Sequence, residues 1–538
     1  MRNWPVLALL LLAACTAAPS APTSSLPALS GEVSILKAEW GQSVLKADLR
    51  LVAAKPALLR VHLIGDRDGL PGSLSGEVFQ GSNRLGQLSF TGPDTLPTTI
   101  NPAELAQTYR ALVPANWMVA GLEVRLQADP SNQIAESNEA DNRLTLKPVV
   151  GIGTVLPLTL VPVLQPGQST QPTLPATDLL RDMLPVREVR ATIRAPFSYG
   201  STLGSTNGDW GNLLNALRAL RTSDGSSRYY YGVVRVGYSS GIAGIGYIGF
   251  PVSAGWDLSS SAARIMVHEI GHNLGREHAP CNVLGDPSYP YPGGSIGTWG
   301  YNVASGALFN PAQHKDVMSY CNPQWISDYS YSGMQGFLEA RPPGVQSQSL
   351  GAVQEVFLIS GRIRGDRVEL NPIARVHAVP EPPRPGAYRL RLDTQGGVVE
   401  VAFQAEPVEA PHGPGQPPES TWSEAHFSFS LPYPGVVRGL EVTQAGRPLL
   451  QRMAAPQVQG QRAPYVRLLE QGSAVALSWD HTAYPYASLA HLGSRRTTLG
   501  LWLEGGEATL STLGLEAGGR FEVTLSDGIN SERQEFAR

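Results

Sequence analysis

The 538-residue chain is too long for one hydrophobic core and, at roughly 150 residues per domain, corresponds to three or four domains. With 42% apolar and 16% charged residues it is neither a disordered tail nor a coiled coil. The 41 basic and 45 acidic side chains leave a net charge of −4, which argues against nucleic acid as a partner. The 57 Gly and 44 Pro favour short strands joined by turns over a helical bundle.

The first residues carry one positive charge, Arg2, and an apolar run over residues 6–14. That run is too short to cross a bilayer but long enough for the core of an export signal. It ends Leu12-Ala13-Ala14-Cys15, which resembles the bacterial lipobox. The resemblance implies a signal peptide over residues 1–14 and a lipidated Cys15. It also implies a chain held in the cell envelope, at the outer membrane or cell surface, with Thr16 rather than Asp compatible with outer-membrane sorting. Each buried acyl methylene contributes about 0.8 kcal/mol to such an anchor. The plainer alternative is a secretory signal with Cys15 there by coincidence. Residues 15–29, rich in Ala, Pro, Ser and Thr, read as a tether. In an exported chain the remaining pair, Cys281 and Cys321, suggests a disulfide. Closing its 40-residue loop would stabilise by about 4 kcal/mol; two buried thiols are the alternative.

Residues 30–150 alternate apolar and polar in short runs such as Leu122-Glu123-Val124-Arg125-Leu126, the pattern of an Ig-like β-sandwich. The acidic stretch over residues 129–142 resembles the turn of CARDB-type modules of bacterial surface proteins. Its oxygens suit either a Ca²⁺ ion or, more simply, a solvated hairpin turn. Residues 151–342 alternate strands and helices, an α/β layer structure. Strands are expected over 156–163, 189–193 and 229–236, with a Gly-rich edge strand over 242–250. Asp178 is expected to cap a short helix over 179–184, and Leu213, Leu214, Leu217 and Leu220 mark a longer amphipathic one. Strand patterns return over 343–455 and 456–538, read as two separate accessory sandwiches, with an exposed Pro-rich loop over 406–420.

The chemistry concentrates between His268 and His278. Three serines, Ser259 to Ser261, offer helix caps, and His268 and His272 stand four apart, on one helical face. Glu269 flanks that face, where it reaches a metal-bound water rather than the metal. Gly275 is placed to end the helix in a left-handed turn that brings His278 back as third ligand. Three neutral imidazoles with one open position make a catalytic zinc site. A random occurrence of this pattern in such a chain is on the order of 2 in 10⁵, which sets aside coincidence.

The string His268-Glu269-x-x-His272-x-x-Gly275-x-x-His278 resembles the zinc signature of the metzincin metallopeptidases. That resemblance implies an α/β metzincin-type catalytic domain over residues 151–342, so the chain reads as multidomain, with all-β Ig-like sandwiches on either side. It implies Zn²⁺ on His268, His272 and His278, with Glu269 as general base. The Asp316-Val317-Met318-Ser319-Tyr320 segment, with Met318 40 residues after His278, resembles the family's Met-turn. Tyr320 then matches the tyrosine that astacin- and serralysin-type enzymes carry near zinc, implying that it binds the metal or donates to the oxyanion, with a pocket-wall or core tyrosine as the alternative, and Ser327 caps a closing helix over 328–340. Ala279, directly after the third histidine, departs from those families and points to a bacterial reprolysin-like or mucin-protease-like branch. Trp325 and the segment over residues 289–301, with Trp299, either shape the substrate side or simply pack. The implied function is a zinc endopeptidase acting on protein or glycoprotein substrates. The rival is a surface adhesin whose sandwiches bind the ligand, with the zinc site degenerate or structural.

Overall fold

A computed structural model describes residues 29–238, 241–343, 352–408, 424–454 and 465–538. The expected signal peptide, Cys15, nearly all of the tether and most of the Pro-rich loop lie outside the described residues. The first residues of that loop, Glu406–Val408, form a strand. The protein is multidomain and mostly β, with several antiparallel sheets, one mixed sheet and few helices. No helix among the described residues is long and apolar enough to cross a membrane.

Residues 33–146 supply two four-stranded antiparallel sheets. Leu122–Ala128 shows why: its even-numbered side chains are buried and its odd-numbered ones are not. In the acidic turn that follows, Asp129 accepts a hydrogen bond from the Ile134 amide (2.8 Å). Glu136 accepts from the Val33 amide (2.8 Å) and from Asn142 Nδ2 (2.7 Å). These carboxylates tie down the turn's own donors, which supports the structural turn over a Ca²⁺ loop.

This N-terminal unit shares one continuous core with the segment that follows: Val44, Leu51 and Val52 pack in the same cluster as Met266, Ile270 and Met318. Buried Lys55 reaches across to donate to the carbonyls of Arg181 (2.9 Å) and Leu184 (2.7 Å). Burial pushes its ammonium down to about 7, against the pull of Asp182. Trp325 donates to the Ser43 carbonyl (2.7 Å) and stacks on Phe309 at 3.9 Å. Trp299 packs with Leu45 and Leu58. Both tryptophans thus pack at this junction, the second of the two roles open to them, Trp325 buried and Trp299 half-buried.

The mixed sheet begins with the parallel strands Val155–Leu164, Glu188–Ile193, Tyr229–Val234 and Val252–Trp256. Tyr229–Val234 is buried at every position, as a strand covered on both faces must be. The short antiparallel strand Gly244–Gly246 forms the sheet's end, narrower than the expected 242–250. Of the helices, α1 (Asp178–Met183) starts after Thr177, so Asp178 is its first residue rather than its cap. Helix α2 (Asn207–Ser223) opens with a capping box between Thr206 and Asp209. Helix α3 (Ala262–Asn273) carries the histidines, and α4 (Asp328–Ala340) is capped by Ser327, which accepts from the Ser330 amide (3.0 Å).

Helix α2 is buried on its polar face as well as its leucine face. Asn215 Nδ2 donates to the Gly361 carbonyl (3.0 Å) and Arg218 Nη1 to that of His426 (3.0 Å). Those acceptors belong to residues 352–408 and 424–454, which form two sheets around Phe357, Phe403, Phe427 and Phe429. The last segment was expected to stand apart, yet Phe197–Ser198 pairs in parallel with Arg496–Leu503 at Ser198 and Gly500. The mixed sheet therefore runs on into the strands Tyr486–Leu492, Arg520–Ser526 and Ser531–Ala537. Beside that seam, buried Asp224 pairs with Arg194 (3.3 Å) and accepts from the Thr498 amide (2.7 Å).

Candidate metal centre

Helix α3 ends in a Schellman turn. The Gly275 amide donates to the His272 carbonyl (2.8 Å) and the Arg276 amide to that of Gly271 (3.1 Å), with Gly275 at φ +80°. Glycine is required there because a Cβ would be strained at that φ and would also meet the Phe337 ring at 2.9 Å. The reversal returns His278 to the helix, and the three imidazole rings lie 4.7–5.2 Å apart between centroids. All three residues are buried, and their ligand nitrogens lie within 4.8 Å of one another.

The proton positions follow from the partners. His268 Nδ1 faces the Val317 carbonyl (2.8 Å) and His272 Nδ1 faces the Arg276 carbonyl (2.7 Å). A carbonyl only accepts, so each Nδ1 carries the hydrogen and each Nε2 presents a lone pair. Those two Nε2 atoms are 3.2 Å apart. Two nitrogens about 2.0–2.1 Å from a tetrahedral metal are separated by about 3.3 Å, so the spacing fits a shared ion. Burial pushes His268 down to about 3, with His278 acting in the same direction and the Val317 carbonyl opposing. A neutral imidazole is the form that binds metal. The buried group His268, His272 and His278 is thus fit to hold a metal ion.

Met318 lies beneath the helix. A Cβ on Gly271 would run into Met318 Sδ, so Gly271 admits the methionine where another residue would displace it. The Ala279 amide donates to the Met318 carbonyl (3.0 Å), fixing the chain next to His278. Asp316 is fully buried and accepts from the amides of Met318 (2.7 Å) and Ser327 (2.9 Å), pinning the turn to the start of α4. The disulfide Cys281–Cys321 is formed, and the Tyr320 amide donates to the Cys281 carbonyl (3.2 Å). The Tyr320 ring stands 5.0 Å from that of His278 and 5.8 Å from that of His268. Glu269 lies against the end strand, and any Cβ on Gly244 would collide with its Oε1.

The structure therefore brings together His268, His272, His278, Glu269, Tyr320 and Met318. It adds what side-chain motifs omit: the carbonyls of Val317 and Arg276, which orient two ligands, and the buttress Asp316. Only Asp316 leaves a trace in the sequence, as the acidic residue ahead of the methionine. A second group, His377, Glu522 and Glu535, also has its ligand atoms within 4.8 Å. There Glu522 is paired with Arg496 (2.6 Å) and Arg533 (3.1 Å), and Glu535 with Arg520 (2.8 Å), which makes it an ion-pair network.

No protein-family model matches the chain, and no curated protein matches it. Among solved structures, a β-glucuronidase from Parabacteroides merdae overlaps 94% of this chain and 77% of that one. At 10% identity and a TM-score of 0.15, that overlap carries nothing about fold or chemistry.

Proposed function

We propose that the chain is a zinc endopeptidase of the metzincin type, acting on protein or glycoprotein substrates at the bacterial cell envelope. The observation that carries this reading is the pair of Nε2 lone pairs 3.2 Å apart, held in one tautomer by two backbone carbonyls, with His278 returned beside them. His268, His272 and His278 would hold the metal. Bound there, zinc supplies Lewis acidity, polarising a carbonyl and lowering the pKa of water.

The chain's own residues supply the rest. Glu269 takes up a proton on its carboxylate as general base and returns it to the leaving amine. Tyr320, ringed against His268 and His278, donates its hydroxyl hydrogen to the oxygen that gains charge. The Gly244–Gly246 strand, at the end of its sheet, offers main-chain groups to an extended peptide. The disulfide and Asp316 hold the Met318 turn rigid beneath the ligands. Lipidation at Cys15 would fix the enzyme to the envelope, and the disulfide accords with an extracytoplasmic site.

The test is cleavage of an unfolded protein substrate by the full chain, with and without a zinc chelator, alongside Glu269→Gln. The expected result is activity that the chelator abolishes and zinc restores. Glu269→Gln should retain zinc but lose cleavage. Undiminished cleavage under chelation and in that variant overturns the reading. Zinc binding with no hydrolysis of any protein favours the adhesin.

A further inference from the structure

A cavity of about 660 Å³ lies where the end of α2 and the Phe250–Pro251 turn meet the strap around residues 379–384 and the strands behind it. It adjoins the metal helix without belonging to the centre: the Gly249 amide, one residue before Phe250, donates to the His272 carbonyl (2.8 Å). Arg218 lines it. Its side chain is buried, with the residue 4% exposed, and it stacks 4.2 Å over the Phe250 ring. One guanidinium nitrogen donates to the His426 carbonyl, its Nε has no hydrogen-bond partner, and it forms no ion pair among the described residues.

Burial pushes this guanidinium down, opposed by Tyr247 and, without direct contact, by Glu406 and Glu381, so a cation this deep with an unpartnered Nε leaves room for a further acceptor. Arg221, also buried, lines the same cavity; its Nε donates to the Arg228 carbonyl (2.9 Å) and its Nη1 makes a long contact to Glu381 (3.5 Å), while Arg384 stands exposed at the rim. Three guanidinium groups therefore meet two carboxylates, Glu381 and Glu406. This balance discriminates between ligands. A bare inorganic anion would be repelled by the carboxylates. A molecule with an anionic end and a hydroxyl-bearing end satisfies both: its acid group on the arginines, its hydroxyls donating to Glu381 and Glu406. The volume lies within the range of small-ligand sites.

We propose that this cavity is a binding site for an acidic saccharide of about two units, with its carboxylate held by Arg218, Arg221 and Arg384. The site serves recognition, and it does not rest on the metal centre or on peptidase activity. Where the two coexist, it would tether glycosylated substrates to the same rigid body.

Calorimetry on the full chain tests this with the glucuronate-containing hyaluronan disaccharide as probe, neutral chitobiose as control, and sodium sulfate at matched ionic strength. Saturable binding of the acidic disaccharide is expected, weaker by roughly tenfold or more for chitobiose, since a charge-assisted contact is lost. Arg384→Glu and Ser227→Trp both alter exposed positions at the cavity and should each lower affinity by a similar factor while leaving the melting profile unchanged. Three results would overturn the proposal. One is no saturable heat with the acidic disaccharide. Another is sulfate binding as tightly as the sugar, an inorganic anion site only. The third is affinity unchanged in both variants.

Discussion

Replacing Gly271 with alanine tests the support of the metal centre with a single methyl group. The added Cβ runs into Met318 Sδ and comes within 3.0 Å of Met334 Cε. Both methionines are fully buried, so their side chains must shift within a packed core to make room. Overpacking of this kind costs about 1–3 kcal/mol, while Gly→Ala inside a helix gains about 1 kcal/mol, leaving a net loss of about 0–2 kcal/mol. Gly336 in α4 is the matched control: a Cβ there meets nothing within 4 Å, so Gly336→Ala should gain about 1 kcal/mol. The second effect is on the metal. Displacing Met318 moves the adjoining Val317 carbonyl off His268 Nδ1, and loss of such an orienting partner typically lowers metal affinity about 10–100-fold. Denaturant unfolding of the metal-free proteins and competition for zinc against a chelating dye measure the two effects separately. If Gly271→Ala matched Gly336→Ala in stability and the wild type in zinc affinity, the packing account of the turn would be wrong.

Other outcomes follow from the same structure. Lys55 has a folded pKa of about 7 against an ordinary value near 10.4, so between these limits the unfolded chain binds more protons. Stability should climb as pH rises above about 7, by at most about 1.4 kcal/mol per unit, and Lys55→Met should flatten that slope in a pH series of unfolding curves. Replacing Cys281 and Cys321 by serine removes a 40-residue closure and should lower the unfolding free energy by about 4 kcal/mol, read by denaturant midpoint. Asp224→Ala leaves Arg194, whose side chain is 3% exposed, buried without its ion-pair partner; a loss of about 3–5 kcal/mol is expected in thermal unfolding.

The histidine motif was legible because side chains at helical spacing carry it, and Gly275 announced the turn that completes it. The Val317 and Arg276 carbonyls were not, since any residue supplies a carbonyl and only the folded turn aims it. Strands such as Ala474–Trp479 were readable from alternation alone. The burial of Asn215, Arg218 and Arg221 on α2 was not legible, because such residues are usually exposed. They are buried by a sheet more than 130 residues further on, to which no local pattern points. Trp299 and Trp325 were undecided for the same reason: an aromatic near a motif suits a pocket wall and a packed junction alike until a distant strand covers it. The seam at Ser198 and Gly500 is one paired position, too small to leave any periodicity.

That seam has a consequence for how the molecule is made. The final strands are neighbours of the first layers, so a nascent chain that has emerged only as far as α4 still lacks the partner of Phe197–Ser198 and the cover for α2. Such a fragment would expose a sheet margin and half-buried arginines, a surface prone to self-association. A chain that stops at α4 is therefore expected to aggregate on expression rather than give a smaller working form.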